Sequence, residues 1–149
     1  AAIALEAGAA RWLALYPDTP PLSGVLIDAQ NRLDLRGLMP ALFDAGPDGV
    51  DAAAAGFHLA LADALAEWAI SAARERGSRD VCLGGGCFFN RILRERVTTR
   101  LQAAQLRVHR PLDKGCGDAG LALGQAWVAA QQWAAIPQNI SSKETEPCV

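Results

Sequence analysis

Three consecutive glycines, Gly84, Gly85 and Gly86, stand between a short apolar run and an Arg-studded segment in "VCLGGGCFFNRILRER", residues 81–96. Glycine has no Cβ, so it accepts positive φ and lets a ligand oxygen reach main-chain N–H groups. A helix starting just beyond adds unpaired first-turn N–H groups and a partial positive charge. Phosphate is the anion that such a turn suits. Asn90 falls in the first turn of that predicted helix, where its amide can donate to a phosphate or ribose oxygen and accept in return. The same glycines also suit a tight strand-to-helix turn without a ligand, and residue chemistry leaves both readings open. The run fits neither GxGxxG nor the lysine-containing ending of a P-loop.

A second glycine-rich stretch, "GCGDAG" at 115–120, places Asp118 where a closing helix would begin. Its carboxylate would serve as an N-cap, or as a ligand to a metal or phosphate-bound metal at the end of a strand-following loop. His58 and His109 are isolated and read as structural or exposed. Arg91, Arg94, Arg96, Arg100, Arg107 and Arg110 form a basic stretch without interleaved aromatics, so a solvated face with general anion attraction is favoured over a nucleic-acid surface. Cys82, Cys87, Cys116 and Cys148 match neither a zinc pattern nor a secreted disulfide scaffold and read as reduced thiols. Cys87 at a helix start could have a lowered pKa, but no nucleophile and base pair stands out.

These residues need a scaffold, and 149 residues with 51% apolar content can bury one core. No uninterrupted apolar run approaches the ~20 residues of a membrane span, so a soluble domain is expected. The opening "AAIALEAGAARW" lacks Met and a secretory pattern, and suggests a piece of a longer polypeptide. Net charge is −2, yet residues 1–70 hold nine acidic groups against Arg11, Arg32 and Arg36, while the basic excess lies in the half with the glycines.

Apolar spacing predicts a helix over 1–16 stopped by "PDTPP", two short strands about an Ala29–Asn31 turn, and a short helix in "RGLMPALFDAG" followed by a "GPDG" loop. A long helix over 52–76 would bury Phe57, Leu61, Ala64, Leu65, Trp68 and Ala72 and end at Gly77. A strand at 80–83, a helix at 88–104, a strand in "LRVHR", the Asp118 loop and a closing helix with Leu121, Leu123, Trp127, Val128 and Ala130 complete an α/β order favouring parallel strands. Residues 137–149 read as a flexible tail.

Taken together, "LGGGCFFNRILRERVTTRL" and "KGCGDAGLALGQAWVAA" resemble the carboxy-terminal region of the HypF carbamoyltransferase family, which serves nickel-iron hydrogenase maturation. The usual wording of that family there is close to "LSGGVFQNRLL" and "NDGGLALGQ". "AAIALEAGAA" and "AAGFHLALADALAEWA" also resemble family segments, so the likeness runs in order from residue 1 to about 132. It implies one lobe, at 1–136, of the α/β nucleotide-binding architecture shared by actin and sugar kinases (ASKHA), related to the tRNA threonylcarbamoyltransferases.

The resemblance further implies that the whole protein uses carbamoyl phosphate and ATP, with Mg, to form carbamoyl-adenylate. The carbamoyl group then passes to the carboxy-terminal cysteine of the partner HypE, for later dehydration to cyanide ligands. Gly85, Gly86 and Asn90, with Gly84 beside them, match the nucleotide-facing positions, and Asp118 matches a ligand of a divalent metal, iron or zinc. The family's HxxxH metal segment is absent, so the chain is expected to be one side of a cleft and inactive alone. A cytoplasmic location follows, with neither membrane nor nucleic acid as partner. Gly84 replaces a common Ser, Phe89 a frequent Gln, and Gly117 with Ala119 alters the surroundings of Asp118, all of which predict weakened phosphate contact. A lobe of another ASKHA carbamoyltransferase, acting on tRNA or a small molecule, and a non-catalytic paralogue that docks a partner are the alternatives.

Overall fold

The computed structural model describes residues 2–111 and 120–135. Helix α1 (Ala2–Leu15) leads to a hairpin of β1 (Leu26–Ile27) and β2 (Leu33–Asp34), then to the short α2 (Met39–Phe43) and the long α3 (Val50–Arg76). Strand β3 (Asp80–Cys82), helix α4 (Arg91–Ala103), strand β4 (Arg107–His109) and helix α5 (Leu121–Ala135) follow. The expected "GPDG" loop is a 3-10 turn, Pro47–Gly49, that runs straight into α3. At the far end Gly77 takes φ 61° and returns its N–H to the carbonyls of Ala73 and Arg74, the glycine stop read from the sequence.

The turn of the hairpin is built by Asp28, whose Oδ1 accepts from the N–H groups of Gln30 and Arg32, each at 2.9 Å. That leaves Asn31 at φ 59°, a conformation asparagine tolerates. Strands β3 and β4 pair in parallel, with Val81 opposite Val108 and Cys82 opposite His109, joined by α4 as a crossover. Val81 and Val108 face the core, where Leu83, Leu93, Val97 and Leu101 cluster with Ala62 and Ile70 of α3. Leu101 is fully buried, and truncating it to Ala costs about 3–4 kcal/mol in such a setting.

Helix α3 corrects the single apolar face predicted from its sequence. It lies between α1 and α4 and is buried at Ala55, His58, Ala62, Ala66 and Ile70, whereas Phe57, Leu61 and Leu65 are half-buried and Trp68 is 39% exposed. A helix with neighbours on two sides has no single stripe, and its alanines permit close approach on both. Opposite it, α1 presents buried Gly8 and Ala9, while Ile3 near its start is 85% exposed.

The expectation that nothing is long and apolar enough for a membrane span also needs correction. Pro47–Arg76 meets that criterion by length and mean hydropathy. Within the fold, however, α3 carries Asp63 and Glu67, which bind Arg96 and Arg100 of α4, and its buried side is core. Helix α5 was expected to pack, yet Leu121, Leu123, Trp127 and Val128 are all exposed among the described residues. The Asp118 loop and the 137–149 tail lie outside the described residues.

Candidate functional site

The predicted helix over 88–104 breaks at its start, and the break shapes the site. After Leu83, whose N–H extends the parallel ladder to the carbonyl of His109 at 2.9 Å, the chain turns through Gly84 and Gly85 into a 3-10 turn, Gly86–Phe89. Asn90 then adopts an extended conformation, φ −62° and ψ 117°, and α4 begins at Arg91. Asn90 is therefore the N-cap, one residue outside the helix: its Oδ1 accepts from the Leu93 N–H at 3.0 Å. That bond fixes the amide so that Nδ2, a donor, has no part in the cap.

Gly85 has φ 100°, which a residue with a Cβ rarely adopts. Gly84 and Gly86 differ: a Cβ added at either meets nothing within 4 Å among the described residues. All three glycines are exposed at the carboxyl ends of the parallel strands, the edge where open α/β sheets carry ligands. Phe88 and Asn90 spend their N–H groups on Gly85 and Cys87 carbonyls, both at 3.1 Å. The preceding N–H groups, of Gly86 and Cys87, are those a 3-10 turn leaves without an internal partner.

The first turn of α4 was expected to offer its own N–H groups to an anion, and here the structure corrects the sequence reading. The Arg91 N–H donates to Glu6 Oε1 of α1 at 2.7 Å, and the Leu93 N–H goes to Asn90. Carboxylate and cap together already answer the positive end of the helix dipole. Two of the first-turn N–H groups are thus taken, which shifts the donors open to a ligand toward the glycine turn and Asn90 Nδ2. Sequence reasoning missed Glu6, whose only signal was its place in the family-like segment "AAIALEAGAA".

The basic stretch is likewise less available than its composition suggests. Arg96 grips Asp63 in a bidentate pair, Nε to Oδ1 at 2.7 Å and Nη2 to Oδ2 at 2.8 Å, and Arg100 reaches Glu67 at 2.6 Å. Arg94 donates to the Phe88 carbonyl at 3.1 Å, bracing the 3-10 turn from below. On the outer face of the strand pair, Asp80 accepts from Arg107 and lies 2.7 Å from His109 Nε2. Arg107 and, second, His109 hold the Asp80 carboxyl well below the usual carboxylate range. His58 is buried with Nδ1 2.7 Å from the Ala54 carbonyl, a structural role as expected.

Asn90 also sits on the rim of an apolar cleft of about 410 Å³ walled by Leu5, Met39, Leu42, Phe57 and His58. Asn90 thus belongs both to the end of the glycine turn and to the lining of the apolar cleft. The described residues bring together Gly84, Gly85, Gly86 and Asn90; Asp118 lies outside them. No group of three His, Cys, Asp or Glu side chains able to hold a metal occurs among the described residues.

Comparison with known proteins agrees with this architecture. Residues 1–125 match the family described as carbamoyltransferase, Kae1-like domain, second subdomain. The chain is 48% identical over 154 aligned residues to a carbamoyltransferase HypF homolog of Cupriavidus necator, covering 99% of this chain and 39% of that one. It is 37% identical to the carbamoyltransferase HypF of Rhizobium leguminosarum bv. viciae, over 85% of this chain and 16% of the relative. The crystal structure of T. kodakarensis HypF superposes with a TM-score of 0.68 at 25% identity, over 87% of this chain and 16% of that one. The chain thus spans well under half the length of these relatives. The chain belongs to the HypF carbamoyltransferases, as the second subdomain of their Kae1-like domain.

Proposed function

We propose that this subdomain supplies the phosphate-holding side of the nucleotide site in a carbamoyltransferase that works through carbamoyl-adenylate. Carbamoyl phosphate and ATP, the latter with Mg, would be its small-molecule substrates, and the carboxy-terminal cysteine of HypE the acceptor. The observation that supports this reading is Asn90: its acceptor is committed to the helix cap, which leaves its donor outside the cap on a residue that follows the open glycine turn and lines the apolar recess. In this role the Gly86 and Cys87 N–H groups and Asn90 Nδ2 would bind the adenylate phosphate and hold it while the acceptor thiolate attacks the carbamoyl carbon and AMP departs. Gly84 would keep the approach clear.

Asp118 would lend one carboxylate to a divalent iron or zinc, with the remaining ligands from elsewhere in the protein. That ion would polarise the reacting groups when bound. The chain alone is expected to be inactive, and the reaction to take place in the cytoplasm without membrane or nucleic acid.

Asn90→Asp tests the reading, because it keeps the capping oxygen and removes the donor while adding repulsion toward phosphate. AMP affinity and the transfer rate in the natural polypeptide should fall by about tenfold or more, with the melting temperature held. Undiminished AMP affinity in this variant would falsify the assignment. Asp118→Ala with unchanged bound metal and unchanged transfer would remove the metal role.

A further inference from the structure

We infer that Glu6 is a positioning residue for the glycine turn. This inference rests on the nucleotide reading above and adds a part to it: a residue 85 positions away in sequence that sets where the turn ends. Gly8 and Ala9, just beyond Glu6 on α1, are buried against α3, so Glu6 stands on a docked helix rather than a loose end. Its Oε1 accepts from the Arg91 N–H at 2.7 Å, and that N–H is the first of α4, directly after Asn90. The Arg91 side chain itself points elsewhere, within 3.9 Å of Glu95, so the tie is to the backbone. A carboxylate on a helix's first N–H is a charge-assisted bond, stronger than a neutral one.

Two consequences follow for the site. The bond pins the junction between the 3-10 turn and α4, and so the direction of the Asn90 amide. It also takes up the first N–H of α4, so an incoming phosphate would turn to the Gly86 and Cys87 N–H groups of the preceding turn. Glu6 forms no hydrogen bond to Gly84, Gly85, Gly86 or Asn90, and it acts through Arg91.

The test uses Glu6→Ala, Glu6→Asp and Glu6→Gln in the natural polypeptide, with AMP titration and hydrogen exchange at the Arg91 amide. Glu6→Ala should raise the AMP Kd by about tenfold and speed exchange at Arg91. Glu6→Gln keeps an Oε1 acceptor and should stay within about threefold of the parent in both, with Glu6→Asp between them. Parent-like AMP binding in Glu6→Ala, or a Glu6→Gln as weak as Glu6→Ala, overturns the inference; if Glu6→Ala does not fold, the Asp and Gln pair decides in the same way. A parent protein that fails to bind AMP while Glu6→Ala still speeds Arg91 exchange sinks the nucleotide reading instead, and leaves Glu6 as a helix cap only.

Discussion

Glycine is needed at the Gly24–Gly37 crossing and at the Gly84–Gly86 turn for opposite reasons. At the crossing, which leads into and out of the hairpin, the two backbones touch: a Cβ on Gly37 would collide with the Gly24 carbonyl, and one on Gly24 with that of Gly37. Gly24 also has φ 114°. The protein itself fills the space that the missing side chains leave. At the turn, only Gly85 is required by its φ, and the space above Gly84 and Gly86 is open among the described residues. Internal packing thus accounts for the first pair, and it does not account for Gly84 and Gly86, whose lack of side chain makes sense as room for a ligand.

Substitutions at the two places should therefore separate stability from binding. The largest effect is expected from Gly37→Ala or Gly24→Ala, which must push two backbones apart, at about 3 kcal/mol of unfolding free energy in a denaturant titration. Gly85→Ala comes next: forcing alanine to φ 100° should cost about 1–2 kcal/mol and weaken AMP binding together. Gly84→Ala and Gly86→Ala should leave stability within about 0.5 kcal/mol while raising the AMP Kd about fivefold, by crowding the turn. Equal stability losses at all five glycines would erase the distinction.

The smallest expected effect is electrostatic and belongs to the hairpin. The Asp34 carboxyl is held down at about 2, against a usual 3.8, chiefly by the Arg36 guanidinium and then by its backbone N–H. A depressed carboxyl stabilises the fold above its ordinary pKa, and that contribution fades as pH falls from about 4 through about 2. Asp34→Asn should flatten the acid limb of stability in that window, slightly, because solvent screens the pair. Asp80 is depressed in the same direction by Arg107 and His109, so Asp80→Asn should flatten the acid limb too, by removing a small stabilisation that is fully present at neutral pH. Acid melts of the two variants, compared with the parent, measure both.

Much of the second half was legible because its signals are local. The β3 apolar run, the glycine turn and the stop at Gly77 each act within a few residues, and all are found where periodicity and capping chemistry put them. The parallel pairing followed from the strand, helix, strand order. Asn90 was expected inside the first turn of α4 and is instead its N-cap, since a 3-10 turn and an α-helix share an apolar pattern over one turn. Only its ψ of 117° reveals the break.

Other features had no local signal at all. Alanine-rich α3 could present any face, and which one is buried depends on α1 and α4 lying on either side. The arginines of α4 read as a free basic surface until Asp63 and Glu67, 33 residues earlier, are brought opposite them. Glu6 looks like any other surface acid of α1 until that helix docks.

The sequence by itself therefore determined the family, the order of elements and the glycine turn with its asparagine, because short-range sterics and backbone capping write directly into residue type. Tertiary structure alone decided that Glu6 takes the first N–H of α4 while the glycine turn stays open among the described residues. A hydrogen bond between residues 6 and 91 depends on how two helices dock against a third, and no spacing within either segment encodes that distance.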